Sequence, residues 1–445
     1  MSIKLSDHFT YRRLLRFTLP SIAMMIFTSI YGVVDGYFVS NFAGKTPFSA
    51  VNLIMPFVMV VSTVGFMLGT GGTALVSKTF GEQDPERANR LFSMLVYVAF
   101  VLGIVFSVLG IVFLRPIAAF LGATGELLDC CVLYGRIVIA AMPFFILQVM
   151  FQSFFITAEK PQLGFFVTVA GGVTNMIGDF LLVTLLPQEY KLAGAAIATA
   201  MSQVVGGGVP LIYFFSKNKS ILRLGKTRFD GRALFKACTN GVSELVSSAS
   251  MSIVGMLFNR QLLKYAGEDG VAAYGVMMYV SMMFMAVFIG YSIGTAPIVG
   301  YHFGAQNRDE LKNLLRKSLI LLQAGGVLMA AAAEALAVPL SKLFVGYDEG
   351  LMQLTVSGFR IFGLMFLFMG VAMFGSGFFT ALNDGVTSAI ISFLRTMLFE
   401  AGTVLLLPLI FGLNGIWYAI VVAEAMAYVL TLLFLFAKRK RYGYL

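Results

Sequence analysis

Residues 28–44, TSIYGVVDGYFVSNFAG, and residues 251–267, MSIVGMLFNRQLLKYAG, are two copies of one design. At an offset of 223, Ser29/Ser252, Ile30/Ile253, Gly32/Gly255, Ala43/Ala266 and Gly44/Gly267 coincide. The register persists through Ala50/Ala273, Gly71/Gly294, Phe80/Phe303, Gly81/Gly304, Gln83/Gln306 and Leu91/Leu314. Further on, SFFITA (153–158) meets SGFFTA (376–381), and after a two-residue slip LAGAAIA (192–198) meets LNGIWYA (413–419). Constant register over this length is poorly explained by chance. The chain is therefore a tandem repeat.

Each copy is built for lipid. Hydrophobic residues make up 58% of the chain and charged residues 12%, half the roughly 25% of a soluble domain. Apolar runs recur at about 14–40, 50–77, 91–114, 132–157, 163–186, 192–215, 235–264, 271–301, 316–338, 354–381, 386–410 and 413–437, each long enough to cross about 30 Å of hydrocarbon as a helix. The reading is an all-α polytopic membrane protein with twelve transmembrane helices in two pseudo-symmetric six-helix lobes. Residues 1–216 form the first lobe, 217–234 a linker and 235–445 the second lobe. An even number of spans separates the repeats, so both halves share one orientation, related by an axis along the membrane normal.

The net charge of +10 reflects topology. Of 32 Lys and Arg, 23 sort to the side of the N-terminus, seven of them between 217 and 236 and four in KRKR at 438–441. That distribution obeys the positive-inside rule and places both termini in the cytoplasm of a multi-pass plasma-membrane protein. It does not form a nucleic-acid footprint. The opening MSIKLSDHFTYRRLLRF has no short apolar core with a cleavage site and reads as a basic amphipathic lead-in lying on the membrane face. Cys130, Cys131 and Cys238 have no metal-ligand spacing, and the adjacent pair is ill-placed for a disulfide.

Within the spans, LP at 19–20, VVDGYFVS at 33–40, FGEQDPERANRL after the second span, FGAQNRDELKNLL after the eighth, and NMIGDFLLV with LAGAAIATAMSQ across spans five and six resemble the multidrug and toxic compound extrusion (MATE) family. The resemblance runs over essentially the whole chain. It implies a V-shaped, two-lobed antiporter that expels organic, often cationic, drugs or toxic metabolites against inward H⁺ or Na⁺ flow. It also implies that the first-lobe cation site falls on Asp35, Asn175, Asp179 and Thr199. One departure stands out: Ser243 occupies the repeat position of Pro20, so the second lobe is expected to bend differently.

The residues themselves support a coupled transporter. Six acids lie inside spans, Asp35, Asp179, Glu244, Glu334, Glu400 and Glu424, against two arginines, Arg260 and Arg395. An acid at a span centre costs about 2.5–3.5 kcal/mol on insertion scales, and this excess cannot be neutralised by ion pairs alone. Asn175 precedes Asp179 by four residues and shares its helix face, so a carbonyl oxygen stands beside a carboxylate. With Asp35 and Thr199 they would form an oxygen cluster suited to a hard cation or a shared proton; a purely structural network between helices is the bland alternative.

Glu400 is the repeat counterpart of Asp179, a candidate for a second-lobe or substrate site together with Glu244, Arg395, Met277 and Met278. Five α-helical residues separate Arg395 and Glu400 by about 140°, which directs Arg395 to another helix. MMYVSMMFM at 277–285 offers thioethers that repack around varied guests. Pro20 removes a backbone hydrogen bond and permits a bend, a candidate gate.

Other functions fit less well. A flippase for a lipid-linked anionic precursor, the main alternative, calls for several cavity arginines, whereas the buried excess here is acidic. An enzyme finds no base–nucleophile pair within the spans, the two histidines being His8 and His302 near their ends. The expected protein needs no cofactor beyond its coupling ion, H⁺ or Na⁺, no metal beyond Na⁺ at the first-lobe cluster, and works as a monomer.

Overall fold

The computed structural model describes residues 3–444. The first lobe contains α1 (Tyr11–Phe38), α2 (Lys45–Gly81), α3 (Pro85–Phe120), α4 (Gly125–Ala140), α5 (Met142–Thr157), α6 (Pro161–Thr184) and α7 (Lys191–Phe215). The second contains α8 (Gly231–Gly304), α9 (Arg308–Val345), α10 (Glu349–Phe362), α11 (Phe366–Ala381), α12 (Gly385–Phe393), α13 (Glu400–Phe411) and α14 (Leu413–Tyr442). Short 3₁₀ or π segments extend or join several of them: Val39–Ala43 after α1, Gly363–Met365 between α10 and α11, and Leu394–Phe399 between α12 and α13.

Ten helical stretches are long and apolar enough to cross a membrane, and α4 with α5, bent by 56°, makes one more. The 74-residue α8 is two spans. A straight helix of that length would run about 110 Å, but Gly267 at φ 63°, ψ −151° breaks it into two arms. Twelve spans result.

The backbone repeats as the sequence does. Left-handed φ values occur at Gly44 and Gly267, at Gln83 and Gln306, and at Glu159 and Asn383, each pair separated by the repeat offset to within one residue. The turn after Gln83 starts α3 with Asp84, whose side chain accepts from the Arg87 amide. Asn307 does the same for Glu310 at the start of α9. A side-chain oxygen satisfies one of the four orphan amides of a first helical turn, and both copies use it at the same place.

Two hydrophobic cores follow from this. One draws on residues from Val39 to Ala237, the other on residues from Val254 to Tyr444 together with Leu5, Phe9, Leu14, Phe17 and Ile156. The lobes meet through glycines. A Cβ added to Gly71 would stand 2.0 Å from the Ala237 carbonyl and 2.6 Å from the Gly241 amide, while one on Gly294 would stand 3.0–3.2 Å from Thr18. Since 18 and 241 are repeat partners, the contact is reciprocal about a pseudo-two-fold axis. Gly290 similarly abuts Ser21 and Ile22. α1 runs through Pro20 without interruption, which sets Pro20 in the middle of this contact. All these approaches lie toward the end of the molecule that carries both termini and most basic loops, hereafter the basic end. Farther along, Gly32, Gly36, Gly255 and Gly275 have open space where a Cβ would point.

The segment before α1 does not lie on the membrane face. Leu5 and Phe9 are fully buried and join the second lobe's core. The Leu5 amide donates to Glu159 at 2.7 Å, the Phe9 amide to Glu310 at 2.9 Å, and His8 Nδ1 lies 2.6 Å from the other Glu310 oxygen. Its apolar side chains found protein partners, so the segment straps one lobe to the other across the basic end. Burial by itself would raise the Glu310 carboxyl, but the Phe9 amide, His8 and Asn313 outweigh it and hold it below the ordinary value.

Candidate functional site

In the first lobe, small residues on α6 let its neighbours approach. A Cβ on Gly172 would reach within 2.5 Å of the Phe27 ring and 3.1 Å of Tyr31, both on α1; one on Gly178 would meet Ala198 of α7 at 2.7 Å. Asp35 sits one turn beyond Tyr31, and Asn175 and Asp179 flank Gly178 on α6. The close approach brings these side chains and Thr199 of α7 to one place. Asn175 Nδ2 donates to Asp35 Oδ1 at 3.3 Å, and Asp179 and Thr199 face the same carboxylate.

Asp179 is fully buried. Neither of its carboxylate oxygens, nor Asn175 Oδ1 or Thr199 Oγ1, has a hydrogen-bond partner among the described residues. The Tyr134 hydroxyl of α4 is orphaned in the same way, close to Asp35, Asp179 and Thr199. Sequence reading did not single out Tyr134, whose only signal was a phenol near the start of an apolar run. Buried polar atoms ordinarily find partners, so a cluster of orphaned oxygens with two carboxylates has the donor chemistry of a hard-cation or proton site.

The second lobe is arranged differently. Arg395 donates from Nε to both Glu424 oxygens at 3.0 Å and from its terminal nitrogen at 2.7 Å. Glu424 is fully buried and Arg395 nearly so. The α-helical angle between Arg395 and Glu400 does not apply, because Leu394–Phe399 is a π segment, in which residues five apart come onto one face. Arg395 nonetheless pairs with α14, and Glu400 stands beside this pair and Tyr274 without a hydrogen bond among the described residues. Thus Thr396–Glu400, the repeat of Asn175–Asp179, carries an inserted π turn instead of a second oxygen cluster.

The remaining expected residues separate. Met277 is fully buried, packed with Trp417 at Gly358 in the lobe core, so its thioether has no free face for a guest. Met278 is half-buried beside that core. Glu244 is half-buried and has no ion pair among the described residues. Arg260, expected inside, is exposed; it lies two turns from the Gly267 break, where a long side chain reaches the helix end. Glu334 pairs with Arg360 at 3.0 Å on the surface.

The MatE family profile matches residues 20–181 and 245–404, one match per lobe. The multidrug export protein MepA of Staphylococcus haemolyticus is 24% identical over 440 residues, covering 97% of this chain and 94% of MepA. MepA of Staphylococcus saprophyticus is 24% identical over 437 residues, with the same coverage. Among solved structures, the outward-facing conformation of a multidrug resistance MATE family transporter superposes with a TM-score of 0.92 at 20% identity, covering 98% of this chain and 97% of that one.

Proposed function

The chain belongs to the MATE family of efflux transporters, and from that premise we propose that it is a multidrug exporter, a cation-coupled antiporter working by alternating access as a monomer in the bacterial plasma membrane. The observation that carries the coupling is the orphaned oxygen cluster of Asp35, Asn175, Asp179 and Thr199, joined by Tyr134. Two carboxylates this deep are stable together only when H⁺ or Na⁺ shares them.

With the basic end in the cytoplasm, the lobes are closed toward the cytoplasm and part toward the outside, so the coupling cation enters from the outer face. Loading neutralises the cluster and lets α1 repack against α6. The Thr18–Ile22 segment around Pro20 lies against Gly290 and Gly294, so movement of α1 acts directly on the closed interface, with Pro20 as its hinge. Organic cations are the favoured cargo: Glu424 neutralises Arg395, which leaves Glu400 and Glu244 as half-buried acids without an ion pair among the described residues.

The test is ethidium transport by the purified protein in proteoliposomes, with Na⁺ and H⁺ gradients imposed separately. One gradient is expected to drive accumulation against a concentration difference. Transport indifferent to both would overturn the coupling, and absence of any dye movement would overturn the drug-export reading.

A further inference from the structure

The linker between the lobes builds a cavity that the transport cycle does not use. Residues 216–230 leave α7, run along the start of α3 and return to α8. Asn89 holds them through the Ile221 carbonyl at 3.2 Å and the Arg223 amide at 2.6 Å. Ser93 Oγ accepts from the Gly225 amide at 3.0 Å, and the Tyr97 hydroxyl donates to the Gly225 carbonyl at 3.0 Å. Thr227 Oγ1 donates to the Arg90 carbonyl at 2.8 Å. A segment pinned at five points is a built wall, not a floating tether.

Between this wall and α3 lies a cavity of about 320 Å³, lined by Arg90, Arg223, Lys226 and one acid, Glu86. All three cations are exposed and none has a carboxylate partner within 4 Å among the described residues. Their surroundings are apolar. On α3, Arg90 lies in line with Tyr97, Val101, Ile104, Val105 and Val108 within about 60° of one face, at 100° per residue; Val101, Ile104, Val105 and Val108 are 43–57% exposed. On α7, Ile212 and Phe215 are 68% and 56% exposed, and the Phe215 ring lies 6.3 Å from that of Tyr97. Phe229 and Phe235, 73% and 72% exposed, flank the far end of the linker.

We propose that this cavity binds the headgroup of an anionic phospholipid from the leaflet at the basic end. The phosphate is held by Arg90, Arg223 and Lys226, and the acyl chains lie in the groove between the exposed faces of α3 and α7. A hydroxylated headgroup such as glycerol can donate to Glu86. Exposed aromatic side chains such as Phe229 and Phe235 are the kind that anchor at a membrane interface, and basic side chains beside a membrane attract anionic lipid. Because the linker joins the lobes, a lipid seated there ties their relative movement to membrane composition.

Native mass spectrometry of the full-length protein exchanged into equimolar phosphatidylglycerol and phosphatidylcholine tests this. The wild type is expected to retain phosphatidylglycerol. Arg223→Gln/Lys226→Gln should lose at least fivefold of that occupancy, and Arg223→Lys/Lys226→Arg should keep it. Lys226→Glu, a single exposed change, gives the same loss independently of the double variant. Millimolar glycerol phosphate should not displace the lipid, since it lacks the chains. Unchanged occupancy in the Gln and Glu variants would overturn the proposal, as would displacement by glycerol phosphate, which would make the cavity a site for a soluble phosphate ester.

Discussion

Gly81 and Gly304, 223 positions apart, pack in the same way on opposite helices. A Cβ on Gly81 would lie 2.0 Å from the Tyr301 carbonyl, and a Cβ on Gly304 would lie 2.0 Å from the Lys78 carbonyl. Lys78 and Tyr301 are themselves repeat partners, so α2 and the second arm of α8 cross at the basic end about the pseudo-two-fold axis. Both obstructing atoms are backbone and cannot rotate away.

Gly81→Ala should therefore prevent this closure without unfolding either lobe, because each has its own core. Overpacking of this kind costs typically 1–3 kcal/mol, concentrated on one conformation. Spin labels at Glu82 and Gln306 should move apart, and dye efflux should fall at least tenfold. An unchanged distance with wild-type efflux would show that the crossing is not needed in the cycle.

Asp179→Asn removes a charge whose two oxygens have no partner among the described residues. The amide is cheaper to bury, so the variant should insert and melt at or above the wild-type temperature. Gradient-driven efflux should collapse, while drug binding in detergent stays within about tenfold, or 1.4 kcal/mol. Export at the wild-type rate by a variant expressed at the wild-type level would remove Asp179 from coupling.

Arg395→Met strands Glu424 in the second lobe's interior. Breaking a buried pair typically costs about 3–5 kcal/mol, whereas replacing both partners by apolar side chains is often neutral. Arg395→Met/Glu424→Leu should recover most of the loss in thermal stability. Failure to recover would mean that Arg395 is needed by Glu400 instead.

Glu400→Gln should leave the Arg395–Glu424 pair intact and weaken export of cationic dyes more than that of neutral compounds. Parallel efflux assays with one dye of each class decide this. Equal losses would assign Glu400 to structure.

Asp384, in the turn before α12, accepts from Lys438 at 2.7 Å, Tyr442 at 2.8 Å and Thr387 at 2.7 Å. Burial opposes these bonds, but they prevail and hold the carboxyl down at about 2. A depressed folded-state value stabilises the protein above the ordinary aspartate range near 3.9, and that stabilisation is lost as pH falls toward about 2. Melting temperatures followed from pH 6 to pH 2.5 should drop less steeply in Asp384→Asn than in the wild type. Parallel curves would deny Asp384 a share in acid sensitivity.

The sequence alone determined the twelve spans, because crossing a bilayer demands runs of apolar residues that composition exposes directly. It determined the two-fold plan as well: the 223-residue register reappears in the paired left-handed turns at Gln83/Gln306 and Glu159/Asn383. Asp35 and Asp179 were visible as acids in apolar surroundings. Which side chains joined them was not. Tyr134 reaches the cluster only through the packing of α4 against α7, and local sequence carries no trace of such a contact.

Three further matters were decided in three dimensions. The segment before α1 looked like a membrane-surface helix until Leu5 and Phe9 found the second lobe's core, since an apolar face does not declare what will cover it. The α-helical angle expected between Arg395 and Glu400 fails because a π turn lies between them. The closure at the basic end rests on Gly71, Gly81, Gly290 and Gly304, whose value is the absence of a side chain against a particular backbone atom. That is a property of two surfaces in contact, and one strand of sequence holds only half of it.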